Sequence, residues 1–276
     1  MYDIAASIVI YRNNKDVLRR AIDSFLQTDL KCRLFVIDNS PTDDLRNVCS
    51  GEKVEYIFND KNLGFGVAHN IALRKMLGQS KYFLVLNPDV YFEIGVLKKI
   101  FSFMEKSLDV GLLMPKVLYP DSSVQYLCRL LPNPFDLLLR KSCDRGPNIL
   151  INFLSKYELG FADHTKMMDV PYLSGCFMFL RTEVLSRSGV FDERFFLYFE
   201  DLDLSRRIRK LCRTVYYPNA VVYHNYERGS NKDIVFLKHL ISSGVKYFNK
   251  WGWFFDKERK MVNRETLKNI PRVPNN

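Results

Sequence analysis

The sequence holds no apolar run approaching the roughly 20 residues that a membrane-spanning helix needs. Its opening stretch, MYDIAASIVIYRNN, has no basic segment ahead of the apolar residues, so a cleavable export signal is not expected. Cysteines are few and scattered: Cys32, Cys49, Cys128, Cys143, Cys176 and Cys212 form no Cys-x-x-Cys pair and have no histidine at metal-binding spacing. That spacing argues against a zinc site. Several of these thiols sit in apolar runs such as YLSGCFMFL, which predicts buried free thiols in a reducing compartment. The chain also lacks internal repeats and low-complexity segments.

What is present fits a globular α/β protein. With 276 residues, 47% apolar and 26% charged, the chain is long enough for one large domain or two fused halves around a sizeable core. Its 21 Phe and 15 Tyr predict a Phe-rich core with some aromatic-lined clefts. The net charge of +10 admits three kinds of partner: nucleic acid, anionic lipid or a phosphate-bearing substrate.

Over the first 115 residues strand and helix patterns alternate. AASIVIY (5–11), RLFVIDNS (33–40), VEYIF (54–58), YFLVLNPDV (82–90) and GLLMP read as strands. Val17, Leu18, Ala21, Ile22 and Phe25 mark one face of a helix that Asn13 or Asn14 can cap. Further helices are expected over 66–77 and 94–106. Such alternation implies a mostly parallel sheet, whose ligands bind beyond the carboxyl ends of its strands. Arg12, Asp38, Asn39 and Asp89 fall there. Further on, residues 116–131 read as a hairpin about Pro120–Ser123, and 132–168 carry no assignable pattern. A strand is expected at 170–181, another at 215–224 and a helix over 233–254, followed by a basic, polar tail.

Five places could carry chemistry, and each has a bland reading beside the functional one. Asp38-Asn39-Ser40 is turn chemistry, and also an acid at a strand end able to accept a pyrimidine N–H. Asn62-Leu-Gly64-Phe-Gly66 is a plain turn and cap, or an approach to a diphosphate. It departs from the dinucleotide fingerprint by following the third strand and lacking the third small residue. Asp89, in Asn87-Pro88-Asp89, is a turn acid or a ligand for a divalent cation shared with phosphates. Glu200-Asp201-Leu-Asp203 opens a helix, where acids suit the macrodipole and Asp203 can pair with Arg207. Following FFLYF, one of those acids could instead serve as a general base. His224 ends the last strand, as a structural group or within reach of a metal or diphosphate.

Together SIVIYRN, VIDNS, NLGFGVAHN, LVLNPDV, the stretch from VPYLSGCF through FEDLDLSRRIR, and YYPNAVVYH resemble family 2 glycosyltransferases of the GT-A fold, especially the rhamnosyltransferase-like branch. The resemblance spans roughly residues 4–228 and implies an α/β fold with a Rossmann-like, mostly parallel central sheet and flanking helices. It implies a catalytic domain over 1–228, divided into a nucleotide-sugar half (1–115) and an acceptor half (116–228), with a C-terminal amphipathic helical extension over 229–276. Asp201 would be the catalytic base of an inverting displacement. Tyr11, Asp38, Asn39, Asn62, Gly64, Asn70 and Asn87 would bind the nucleotide sugar. Asp89 and His224 would hold a divalent metal, Mg2+ or Mn2+, although Asn87 replaces the first acid of the DxD-type motif.

The implied donor is dTDP-L-rhamnose, with UDP-hexoses as the alternative. The implied acceptor is a polyprenyl-diphosphate-linked glycan, a precursor of cell-surface polysaccharide such as O-antigen or capsule. No nucleic-acid partner is expected, because the basic clusters at 206–213 and in the tail carry no nucleic-acid motif. A sugar nucleotidyltransferase would want a basic, Gly-rich loop after the first strand, where this chain has YRNNKDV. From Phe236, FLKHLISSGVKYFNKWGWFFDKERK places Leu237, Leu240, Ile241, Val245 and Phe248 on one helical face, with Trp251, Trp253, Phe254 and Phe255 among lysines. That segment either packs on the catalytic domain or docks on an anionic membrane surface, which would make the protein peripheral on the cytoplasmic face of the plasma membrane.

Overall fold

The computed structural model describes residues 1–136, 155–225 and 234–273. Strand β1 (Tyr2–Ile10) lies between β2 (Cys32–Asp38) and β4 (Ser80–Leu86), and β3 (Val54–Phe58) lies outside β2; all four run parallel. Parallel strands covered on both faces need apolar side chains throughout. Accordingly Ile4, Ala5, Ala6, Ile8 and Ile10 of β1 and Phe83–Leu86 of β4 are buried. Helix α1 (Lys15–Leu26) presents Leu18, Ala21, Ile22 and Phe25 to this core. Its cap is Asn14, whose Oδ1 accepts the N–H groups of Asp16 (2.9 Å) and Val17 (3.3 Å). Helix α2 (Phe65–Met76) crosses back over β1 and β4.

Beyond β4 the chain forms β5 (Val90–Tyr91), α3 (Val96–Lys106) and β6 (Val110–Leu118). The second half supplies β7 (Cys128–Arg129), β8 (Met168–Asp169), β9 (Tyr172–Leu173), β10 (Phe177–Arg181), α4 (Thr182–Ser188), α5 (Glu200–Arg209) and β11 (Arg213–His224). The sheet order is β3-β2-β1-β4-β10-β6-β11-β5, with β8 also on β11. Because β10 runs antiparallel to both β4 and β6, and β11 parallel to β6, strands β1, β2, β3, β4, β6 and β11 share one direction. Their carboxyl ends therefore form a single edge. The five cysteines among the described residues are free, and Cys143 lies outside them.

Two expectations change. The strand expected at 170–181 breaks at Ser174-Gly175-Cys176, so β9 pairs with β7 and only β10 joins the main sheet. The hairpin expected over 116–131 is a tight turn closed by Tyr119 N–H to Ser123 O (2.8 Å) and a single bridge, Leu118–Val124. Within the expected helical extension, the basic, polar tail holds its own helix, α7 (Lys257–Asn269), whose cap Asp256 accepts the N–H of Arg259.

Helix α6 (Ile234–Trp251) and α7 clamp α5. Leu202 of α5 packs with Phe199, Leu131, Tyr247, Phe248 and Val262 in a second, smaller core. Arg206 of α5 is buried and bidentate to Asp256 (2.8 Å on each side), with Glu258 at 3.1 Å. Its guanidinium lies 4.1 Å from the ring of Trp251. Trp251 also donates to Asp203 (2.7 Å), so this tryptophan belongs to the interior and not to an interfacial cluster. The expected apolar face of α6 divides. Phe248 is buried and Leu240 packs against the second core, while Ile241 and Val245 join Ile234 in solvent. Among the described residues no helix is long and apolar enough to cross a membrane.

Candidate active site

At the carboxyl ends of β1–β3 a polar layer closes over the core. Asp38 is fully buried; Oδ1 accepts the Ser40 N–H (2.8 Å) and Oδ2 the Tyr56 hydroxyl (2.6 Å). Both oxygens are thus occupied by the protein, one of them by Tyr56, which the sequence pattern did not single out. Asn39 donates to Gly64 O (3.1 Å) and Asn62 Oδ1 (3.4 Å) and accepts from Asn59 (2.9 Å). Asn62 in turn accepts the Gly64 N–H (2.9 Å). Tyr11 stands half out of this layer, at 47% exposure.

The glycines of the turn before α2 serve close backbone contact. Gly64 has φ +81°, and a Cβ there would lie 2.3 Å from Phe196 O. Phe65 N–H, at the start of α2, donates to that same carbonyl (2.9 Å). Asn70 is set apart from the cleft: fully buried, it exchanges hydrogen bonds with the backbone of Phe191 (2.9 and 3.0 Å) and reaches Glu193. It fastens α2 to the segment leading into α5. His69 is likewise interior, bonded to Ser7 (2.6 Å), with burial lowering its pKa to about 3.

Asp89 and His224 meet. Asp89 follows β4 and His224 ends β11, and their Oδ1 and Nε2 atoms are 3.3 Å apart. Gln125 holds the imidazole by its other face: His224 Nδ1 lies 2.9 Å from Gln125 Oε1, while Gln125 Nε2 donates to His224 O (2.8 Å). The Asn225 N–H donates to Asp89 O (2.9 Å), tying the two segments together. Asp89 Oδ1 is buried and makes no hydrogen bond. An acceptor left in that state beside an imidazole nitrogen suits a cation-binding pair. Among the described residues no group of three or more His, Cys, Asp or Glu side chains could hold a metal, so these two protein donors would need substrate oxygens to complete a shell.

Asp201 reaches the cleft through a strained approach. Tyr198 and Phe199 both adopt the left-handed conformation (φ 69° and 71°), which swings the chain abruptly into α5. Asp201 Oδ2 accepts the Gly175 N–H (2.9 Å) and the Tyr172 hydroxyl (3.2 Å), and Oδ1 accepts the Leu202 N–H (2.8 Å). A Cβ at residue 175 would come within 3.1 Å of Asp201 Cβ, so glycine allows the approach that interrupts the strand. Burial raises the Asp201 pKa; these N–H donors, the nearby Arg129 charge and Tyr172 counter it. Glu200, which lines the same cleft, is 4% exposed with Oε2 unbonded, and burial followed by the Asp201 charge drives its pKa well above the usual carboxylate range. Burial raises both carboxyls, but Asp201 has three hydrogen-bond donors that favour its charged form, whereas Glu200 Oε2 has no donor. Asp203 pairs with Arg207 (2.8 Å), as expected of an i, i+4 pair.

The acidic places converge on Cys176. Gly175 binds Asp201, and the carbonyl of the next residue, Cys176, accepts the Asn87 N–H (2.9 Å). The Cys176 thiol is pushed up to about 12, chiefly by burial, with the charges of Asp89 and Asp201 adding to the shift. Arg129, Tyr172, Gly175 and Gln125 were not identified from sequence. Each acts through a partner distant in the chain, a relation that spacing does not reveal.

A mixed sheet of this kind, with acids gathered at the carboxyl edge, is a fold of the GT-A type. Residues 7–189 match the family described as glycosyl transferase family 2, and the chain belongs to that family. It is 26% identical over 251 residues to N-acetylglucosaminyl-diphospho-decaprenol L-rhamnosyltransferase of Mycobacterium tuberculosis, covering 84% of this chain and 80% of the relative. It is 24% identical over 253 residues to rhamnosyltransferase WbbL of Escherichia coli K12, covering 86% and 89%. Similar solved folds include GalNAc-T7 with UDP, GalNAc and Mn2+ (TM-score 0.60, 13% identity, 83% of this chain and 44% of that one). Another is the mannosyltransferase PcManGT of Pyrobaculum calidifontis with GDP-Man and Mn2+ (TM-score 0.57, 15% identity, 90% and 64%).

Proposed function

We propose that this glycosyltransferase moves L-rhamnose from dTDP-L-rhamnose onto a polyprenyl-diphosphate-linked glycan, a precursor of cell-surface polysaccharide, at the cytoplasmic face of the plasma membrane. The observation that carries the reading is the convergence on Gly175–Cys176: an ionisable carboxylate on one side and the Asp89–His224 pair on the other. A displacement reaction needs that separation of a basic group from a leaving-group site. Asp201 takes the proton from the acceptor hydroxyl as its oxygen bonds to the anomeric carbon. The bond from that carbon to the donor diphosphate breaks on the opposite face, so the configuration inverts. Asp89 and His224 would hold a divalent cation, which when bound neutralises charge on the departing diphosphate. In this reading Asn39, Asn62 and Asn87 belong to the donor side, and the half-exposed Tyr11 offers a ring to the base.

The rhamnose assignment is supported by the two rhamnosyltransferase relatives and the acceptor by the decaprenol relative. Membrane contact is supported by Phe254 and Phe255, the latter 94% exposed, beside Trp253 and the basic α7. The test is a panel of nucleotide sugars scored for slow nucleotide diphosphate release. Release favouring dTDP-L-rhamnose supports the donor assignment. Release from a UDP-hexose alone moves the specificity to the alternative, and release from none refutes the transferase reading.

A further inference from the structure

A second cavity lies beside the catalytic cleft, between α7 and the segment around Leu130–Asp136. Its volume is about 570 Å³, within the range of small-molecule sites. Lys156, Lys260 and Arg264 line it, and among the described residues none of the three has a carboxylate within ion-pair distance. Lys260 and Arg264 stand one turn apart on α7, a like-charge spacing that weakens an isolated helix. Beneath them Arg259 is buried and spends its guanidinium on the carbonyls of Pro132, Trp253 and Phe254, so its charge is not cancelled. The one acid in the lining, Asp136, is buried; burial raises its pKa, against the Asn133 N–H and the charges of Arg259 and Lys156, and the four cations of the lining outnumber it.

The rest of the cavity wall is apolar. Phe135 and Phe254 pack at its mouth, ring centroids 6.0 Å apart, although they are 59% and 54% exposed. Leu130 and Leu267 complete the wall. Clustered cations beside apolar and aromatic surface call for an amphiphilic anion; a free phosphate would leave the apolar wall unused, and a nucleic acid has no concave match here. Tyr157 lines this cavity and also the cleft that contains Asp201, so the two share a wall.

We propose that this cavity seats the diphosphate and the first isoprene units of the lipid-linked acceptor. Lys156, Lys260 and Arg264 bind the diphosphate, Phe135 and Phe254 cover the isoprene units, and the attached sugar crosses Tyr157 to present its hydroxyl to Asp201. The inference rests on the prenyl-linked acceptor reading above.

The experiment is calorimetric titration of the full chain with farnesyl diphosphate in EDTA, which silences cation-dependent binding at Asp89 and His224. Farnesyl diphosphate is expected to saturate one site and to bind at least about tenfold more tightly than pyrophosphate or farnesol. The double variant Lys260→Glu/Arg264→Glu, two exposed positions whose folding is checked by thermal melting, is expected to weaken it about tenfold for each charge-assisted hydrogen bond removed. Asp89→Ala is expected to leave it unchanged. Unaltered affinity in the double variant, loss of binding in Asp89→Ala, equal binding of pyrophosphate, or no saturable binding would each overturn the proposal. Donor hydrolysis measured in parallel separates the two claims: hydrolysis without farnesyl diphosphate binding refutes the cavity alone, and binding without hydrolysis of any nucleotide sugar refutes the transfer reaction alone.

Discussion

Replacing Asp201 by Asn removes a proton acceptor while keeping the shape of the side chain. A general base contributes about 10²–10⁴ in rate, equivalent to about 3–5 kcal/mol of barrier. The structural cost is smaller. Asp201 accepts three hydrogen bonds through two oxygens, from Gly175, Tyr172 and Leu202. The amide keeps one oxygen, so one backbone N–H loses its acceptor, at about 1–3 kcal/mol, which lowers the melting temperature by a few degrees. Nucleotide diphosphate release in the presence of acceptor should therefore fall at least about a hundredfold, while donor affinity stays near wild type. Glu200→Gln, one residue away, should retain most of the turnover, because burial and then the Asp201 charge disfavour the ionised form of Glu200 that a base would need. Near wild-type transfer by Asp201→Asn together with an inactive Glu200→Gln would refute the assignment of the base.

The remaining expectations concern pH, the metal, the clamp and the membrane. Glu200 has a folded-state pKa above its unfolded value, so its contribution to stability is present below the unfolded pKa and is lost as pH rises toward the folded one. Glu200→Gln should thus gain melting temperature over wild type at pH 8 and little at pH 4. Asp89→Ala and His224→Ala should each weaken nucleotide diphosphate binding, and EDTA should mimic them; full activity in EDTA with no gain from Mg2+ or Mn2+ would remove the cation from the site. Arg206→Ala strands the buried Asp256 without its partner and should cost about 3–5 kcal/mol of stability, read by denaturant unfolding. Phe254→Ala/Phe255→Ala changes two exposed rings and should abolish flotation with anionic liposomes while leaving the melting temperature unchanged; equal flotation would remove the docking role.

The parallel half of the sheet was legible because buried strands are written as continuous apolar runs, and VEYIF matches β3 to the residue. The edge of functional groups was legible for the same reason: a polar residue directly after such a run must lie at the strand's carboxyl end, as Asp38, Asn87 and Asp89 do. Other features depend on interactions between distant residues and leave no local pattern. The break at Gly175 exists because Asp201 approaches it from 26 positions away. The polar tail folds as a helix because Arg206, 50 positions before Asp256, ties its start into the core. That helix buries Arg259, Val262 and Thr266, too few apolar groups to register as amphipathic. Asn70 sits in a segment that resembles the family's pattern, yet its amide is consumed by the backbone of Phe191.

The most direct test of the account is a transfer assay with dTDP-L-rhamnose and a prenyl-diphosphate-linked N-acetylglucosamine, followed by mass and anomeric analysis of the lipid product. The expected result is addition of one rhamnose with inverted anomeric configuration, dependent on Asp201. A product of retained configuration, or none with this or any other nucleotide sugar, would contradict it.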